Sequence, residues 1–479
     1  MADYQTLDVS APGLDPTLLA RRQTLYRELA ARRFRLEARL DRSGTGDSQS
    51  QAIRSEITAL RQDLDQIDAK IGAASQTAIS RHLAPQKPTA LQLDNIPPGL
   101  AAIEYWLGDE ASFAWVITRD RVTMTRLDAS ARINAEASSL HVALRSFGSV
   151  PKAQRLEAGA RLYKLILGPI EAQTSAMHTL IFAPDGALHY VPFATLRSVE
   201  SGREAFLVEN HDIAVTPSLQ MFLRSGSPRS TAGAKQMLLV DDPVYDPGDP
   251  RVANSSSTRP GTQMTASNDA LTVVRGAGKG FYLPRLPGAA REAAAIASLM
   301  PPDSVDRLDG FSASRERFLG SGLDRYRLIH VASHATTDTE IPQASALILS
   351  TVNGSGKEID GRVLAADFMG VRLHADTVVL SACDTALGKS VAGEGLIGLH
   401  YVVLARGSRS VVSSLWPALD QVTANVMVDF YSALIHQHST VISAWSAASR
   451  AALQGPYGDP GIWGAFMLTL SHVADVSPI

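Results

Sequence analysis

Between residues 15 and 75 the apolar positions fall at helical spacing. Leu18, Leu25, Leu29, Leu36 and Leu40 follow one another at alternating intervals of seven and four. Ile53, Ile57, Leu60, Leu64, Ile67 and Ile71 follow at four and three. Both are heptad seams, which let a helix bury one narrow stripe against a partner. The polar stretch "DRSGTGDSQSQ" separates them, so the spacing predicts an antiparallel helical hairpin over 15–75. The first helix is arginine-rich from Arg21 to Arg42, which reads as the solvated face of a coiled coil.

The pattern then changes. Pro85, Pro88, Pro97 and Pro98 punctuate the chain. "AAIEYWLG", "SFAWVITR" and "RVTMTRL" read as consecutive strands, and residues 131–175 return to helical spacing. "LIFAPDGALHYVPFATL" (180–196) reads as a strand, a Pro-Asp-Gly turn and a second extended segment. This makes 96–235 a small mixed α/β region, a candidate for a degenerate half of the fold that follows. From 236 to 479 strands and helices alternate: "QMLLVDD", "YRLIHVASH", "ADTVVLSAC", "SRSVVSSLW" and "WGAFMLTLS" are short apolar runs separated by helical segments. Such alternation predicts an α/β domain, a mainly parallel sheet with helices on both faces. The loop at about 243–280 is rich in Pro, Gly, Ser and Thr and is expected to be mobile. No 34-residue repeat occurs.

Composition narrows the function classes. Of 479 residues, 45% are hydrophobic and 19% charged, as in an ordinary globular chain. A net charge of -3 gives no argument for nucleic acid or an anionic membrane as a direct partner. No apolar run approaches the ~20 residues of a membrane-spanning helix, and the first residues lack the pattern of a signal peptide. A single cysteine excludes a disulfide framework and a Cys-rich zinc site, and suits a reducing cytoplasm. The histidines form no HExxH and no cluster with carboxylates at ligand spacing, so no metal or other cofactor is expected.

That cysteine, Cys383, lies in "VVLSACDTALGKS" (378–390), where an apolar run meets a polar turn. Three readings compete: nucleophile, small buried hydrophobe, or part of a phosphate loop. "CDTALGKS" has the spacing of GxxxxGK[ST], but a cysteine in place of the first glycine removes the backbone freedom that the phosphate turn needs. "GEGLIG" (393–398) matches GxGxxG literally, yet it does not follow a strand directly, as a dinucleotide site requires. For the nucleophile there is a partner. "LIHVASH" ends at His334 as "VVLSAC" ends at Cys383, and ligands of parallel sheets bind beyond the carboxyl ends of strands. If the strands are neighbours, the imidazole can lower the thiol pKa and protonate a leaving amine. Cys383 follows His334 by 49 residues, close to the interval of about 50 found in caspases. His330, on the same strand, reads as a hydrogen-bonded packing residue.

These segments together resemble the CHAT domains, caspase-like cysteine peptidases often fused to tetratricopeptide repeats. The resemblance covers about 176–479. It rests on "LIFAPDGALHYVPFATL", "LPRLPGAAREAAAIASL", "LIHVASHATTD", "VVLSACDTALG" with the following "GEGLIGLHYVVLARGSRSVVSSLWPALD", and "GIWGAF". It implies a caspase-like sheet, a His334–Cys383 dyad and cleavage of a protein substrate. It also admits a role in prokaryotic immunity. The residue after the family's histidine is often glycine and here is Ala335, whose backbone N–H is expected to form an oxyanion hole with that of Cys383. A catalytically silent scaffold is the alternative. An uncontrolled cytoplasmic protease would be harmful, so an activating protein partner is expected to act through the hairpin. Asp384, Trp416 and Asp420 are candidates for the substrate pocket: two carboxylates and an apolar wall that would favour cleavage after Arg or Lys.

Overall fold

The computed structural model describes residues 15–43, 48–82, 93–198, 204–223, 235–252, 283–338, 340–382, 385–386, 388–391 and 395–473. Among these residues one eleven-stranded sheet forms the centre. Its strands are β1 (Leu100–Trp106), β2 (Ser112–Ile117), β3 (Val122–Leu127), β4 (Thr179–Ala183), β5 (Asp212–Val215), β6 (Lys235–Asp241), β7 (Val305–Asp309), β8 (Tyr326–Ala332), β9 (Thr377–Ser381), β10 (Ser410–Ser414) and β11 (Phe466–Leu470). The spatial order is β3-β2-β1-β4-β5-β11-β10-β9-β8-β6-β7. Neighbours are parallel except at β1–β2, β2–β3 and β10–β11. The mainly parallel α/β class expected from the strand–helix alternation is therefore the class observed. The strands of 100–215 and those of 235–470 share this single sheet, and the last strand, β11, joins them.

The central strands are apolar on both sides because both sides are covered. Met237, Leu239, Leu328, Val379 and Val412 face one core, beneath α5 (Pro287–Ala297), α7 (Asp420–His436) and α8 (Val441–Gln454). Leu238, Val240, Ile329, Val331, Val378, Leu380 and Val411 face the other, beneath α6 (Leu399–Ala405). Two further helices, α3 (Ser130–Arg145) and α4 (Lys152–Ile166), cover the β1–β4 end.

Two long helices, α1 (Pro16–Ser43) and α2 (Ser48–His82), pack against each other. Arg22–Asp68 (2.6 Å) and Arg32–Glu56 (2.7 Å) link them across the seam. Their shared apolar stripe is not closed on itself. Leu25, Tyr26, Leu29, Leu64, Ile67 and Ile71 form one buried cluster with Ile341, Ala344, Ala346, Ile348, Leu364 and Ala366. The pair is thus seated on the excursion between β8 and β9, and several of its arginines are ion-paired to it. Arg27 reaches Asp367 at 2.9 Å, Arg33 reaches Asp338 at 2.6 Å and Glu340 at 2.9 Å, and Arg61 reaches Glu340 at 3.0 Å.

Two local differences from the sequence reading have clear causes. After β4 the chain makes short 3-10 turns over Gly186–Tyr190 and Phe193–Thr195 instead of an extended segment. Asp185 starts the first, accepting from Gly186 N at 2.8 Å and from Leu107 N at 2.8 Å, while Gly186 adopts φ +55. The glycine-rich stretch at 395–398 is a strand paired with Gly388–Val391, and α6 begins only at Leu399. The loop expected to be mobile lies largely outside the described residues. No described helix is long and apolar enough to cross a membrane.

Candidate active site

Strands β8 and β9 are parallel neighbours, with Ala332 opposite Ser381 in their register. His334 stands two residues beyond Ala332, and Cys383 two residues beyond Ser381. Both chain segments therefore leave the sheet at one rim. Cys383 and Asp384 themselves lie outside the described residues, but what surrounds them is defined.

On the histidine side, the chain kinks at Ser333 and enters a short ladder. His334–Thr336 pairs with Ala346–Ile348, which pairs with Arg362–Leu364. Ala335, expected in the oxyanion hole, is buried opposite Leu347. The His334 ring is fully buried. Its Nε2–H donates to the Pro284 carbonyl at 2.8 Å, and the Tyr245 ring lies against it with centroids 5.0 Å apart. The His334 backbone N–H donates to the Tyr245 hydroxyl at 3.3 Å. Pro284 is held from both sides. Arg285 grips Asp242, just past β6, at 2.9 and 2.7 Å. Leu286 and Ala289 pack on Ala332.

On the cysteine side, the turn is clasped to the end of β10. Ser414 Oγ donates to the Ala382 carbonyl at 2.5 Å, and the Ser414 N–H donates to Thr385 Oγ1 at 2.9 Å. The Ala386 N–H donates to the Ser414 carbonyl at 2.8 Å. A threonine and a serine thus satisfy backbone groups on both sides of Cys383, which a tight turn cannot do for itself. His400, at the start of α6, hydrogen-bonds the Thr385 backbone. Burial pushes the His400 pKa down to about 4, and the Thr385 bond only partly offsets this.

The three candidates for a substrate pocket fare differently. Asp384 lies outside the described residues. Asp420 is the first residue of α7. Trp416 is fully buried, with Nε1–H donating to the Gly461 carbonyl at 2.9 Å and its ring 5.8 Å from that of His141. So placed, it presents no wall to solvent. No group of His, Cys, Asp or Glu among the described residues could hold a metal ion.

Sequence reasoning missed Pro284, Tyr245, Ser414 and Thr385. A backbone carbonyl carries no side-chain signature, so Pro284 had none to find. Ser414 had a faint one, since it is a polar residue ending an otherwise apolar strand.

A mainly parallel α/β sheet in which His334 follows one strand and Ser381 ends its parallel neighbour is the class of structure defined so far. The chain belongs to the CHAT domain family, whose model matches residues 156–471. It is 25% identical over 355 residues to Tetratricopeptide repeat protein 28 of Mus musculus, and 25% identical over 360 residues to that of Homo sapiens. Each match takes in 66% of this chain but only 13% of the relative. Among solved structures, a Saccharomyces cerevisiae separase–securin complex aligns with 79% of this chain and 30% of that one, at TM-score 0.48 and 10% identity. The Arg-specific cysteine proteinase gingipain R aligns with 70% of this chain and 73% of that one, at TM-score 0.38 and 8% identity.

Proposed function

We propose that this chain is a cysteine endopeptidase in which His334 serves Cys383. The register pair Ala332–Ser381 supports the reading, because His334 and Cys383 each follow one member of that pair by two residues in the chain. The Pro284 contact supports the division of labour within the imidazole. With Nε2–H committed to a carbonyl, the neutral ring exchanges protons through Nδ1. Nδ1 takes the thiol proton, and the thiolate adds to the scissile carbonyl. The backbone N–H groups of Cys383 and Ala335 are the proposed donors to the oxyanion. Collapse breaks the C–N bond as Nδ1–H protonates the leaving amine, leaving a thioester. Water then adds to the thioester, giving its proton to Nδ1, and the carboxylic acid departs as the thiol is reprotonated.

A lone reactive thiol suits a reducing compartment. The substrate in this reading is a protein. An activating partner acting through α1–α2 would have to use their outward face, because the inward face is packed on residues 341–366. The test is hydrolysis of a peptide library by the wild type, Cys383→Ala and His334→Ala. Cleavage by the wild type alone is expected. A folded wild type that cleaves nothing, even with cell extract as a source of activators, would leave a scaffold that binds without cutting.

A further inference from the structure

Helix α5 begins three residues after Pro284, the partner of His334. Its inward stripe carries Ala289, Ala293 and Ile296, and among them stands Glu292, with no exposure to solvent. Glu292 Oε1 accepts from Ser381 Oγ of β9 at 3.1 Å. The same oxygen lies 3.1 Å from Nε2 of His330 on β8. On the other side of that imidazole, the Tyr431 hydroxyl of α7 is 3.3 Å from Nδ1. His330 is also fully buried. One carboxylate oxygen therefore lies between the two strands that lead to the dyad, hydrogen-bonded to β9 two residues before Cys383 and 3.1 Å from an imidazole nitrogen of β8 four residues before His334. A buried carboxylate is costly to desolvate, and an apolar residue would fill this stripe without that cost. Nothing in the proposed chemistry uses Glu292, His330 or Tyr431 directly.

We infer that Glu292 is a positioning residue that sets the separation of Cys383 and His334 by binding Ser381 on one strand and His330 on the other. The α5 segment then acts as a gauge. Its leading end supplies the Pro284 carbonyl that orients His334, and its second turn fixes the strand that ends in the Cys383 turn. This inference rests on the dyad proposed above.

The single cysteine makes the test direct, because any thiol-labelling signal reports Cys383 alone. The rate of alkylation by iodoacetamide is measured against pH for the full-length wild type, Glu292→Gln, Ser381→Ala, the double variant and His334→Ala. Thermal melts of each accompany the rates. Misplacing the thiol relative to the imidazole lowers its thiolate fraction, so Glu292→Gln and Ser381→Ala should move the profile toward the ~8.5 of an ordinary thiol. Peptide cleavage should lose about 100-fold in kcat with KM nearly unchanged, as for a small misplacement of reacting groups. The double variant should be no worse than Glu292→Gln alone, since the two act through one contact. Profiles unchanged in Glu292→Gln and Ser381→Ala, but shifted in His334→Ala, would overturn the positioning role and leave the dyad standing. An unshifted profile in His334→Ala would overturn the dyad and this inference with it. If Glu292→Gln fails to fold, Ser381→Ala decides alone, because it removes only one hydroxyl.

Discussion

Replacing Asp367 by alanine should unseat α1 and α2 from the excursion that carries His334. The carboxylate is almost wholly buried and accepts from four residues. Arg315 binds it at 2.9 and 3.2 Å, Arg27 at 2.9 Å, Gln23 at 3.1 Å and the Leu364 N–H at 3.0 Å. Two of these donors come from α1, and the Leu364 bond closes the ladder that begins at His334. The Leu364 bond is a local cap, worth about 1 kcal/mol. Removing one partner of a buried ion pair costs about 3–5 kcal/mol, because the other charge stays behind unpaired. Arg27 is 40% exposed and its share is discounted to roughly 0.5 kcal/mol. Arg315, at 20% exposure, sets the larger part. The expected total is about 4 kcal/mol. Urea unfolding of the wild type and Asp367→Ala measures it, and limited trypsin digestion reports whether the arginines of α1 become accessible. A loss below about 1 kcal/mol with unchanged digestion would refute the argument that this carboxylate clamps the two helices to the excursion.

Other outcomes follow from the same geometry. His189 and His400 are both buried with pKa values pushed down to about 4 from 6.5, chiefly by burial. The unfolded chain binds their protons first, so stability should fall as pH drops from 6.5 to 4, by on the order of 3 kcal/mol per histidine. Equilibrium unfolding across that window checks it, and His400→Asn should flatten the curve. Gly186→Ala should destabilise by about 1–2 kcal/mol, since φ is +55 and the added Cβ would sit 2.7 Å from Asn134 Oδ1; an unchanged melting temperature would contradict this. Ser414→Ala removes the shorter of the two hydroxyl bonds to the Ala382 carbonyl, leaving Thr385 Oγ1 at 3.3 Å, and in the proposed peptidase should lower kcat by about 10-fold with little effect on global stability. Stopped-flow alkylation alongside a thermal melt separates those two effects.

Much of the fold was legible because its strands and helices advertise themselves. "MLLV" and "VVL" are apolar runs, and "LIHVA" is broken only by His330, as in strands buried on both faces. The heptads of α1 and α2 were equally plain. Their seat was not: a heptad seam names a narrow apolar stripe, but not the surface that meets it. The ladder after His334 has only three residues per strand, too few for any period to emerge. That the segments ending at Ala332 and Ser381 are parallel neighbours was legible from the strand ends alone. The supports of the neighbouring segments could not, since they are a backbone carbonyl, a buried hydroxyl and a tilted ring from 89 residues away. Trp416 misled because a residue after a strand end was taken to face the rim, whereas the chain turns it into the core. Glu292 left a trace that was overlooked, a charge on the apolar stripe of "AAREAAAIAS".

The last strand, β11, has a consequence for how the molecule is made. It alone connects β5 to β10, and it is the final strand in the chain. During synthesis at roughly 5–20 residues per second, a ribosome needs about 12–50 s to go from Val215 to Phe466. Through that interval the nascent chain can hold two half-sheets, each with a bare inner edge. Such edges are templates for pairing with other chains. The emerging protein is then exposed to aggregation until β11 is made, and a product ending before Phe466 would keep that exposure permanently. By the same order of events, α1 and α2 are made before the excursion they pack on, and find their seat only after Ala366 has been made. The surroundings of His334 are thus finished only after the helices that cover them have waited for their seat.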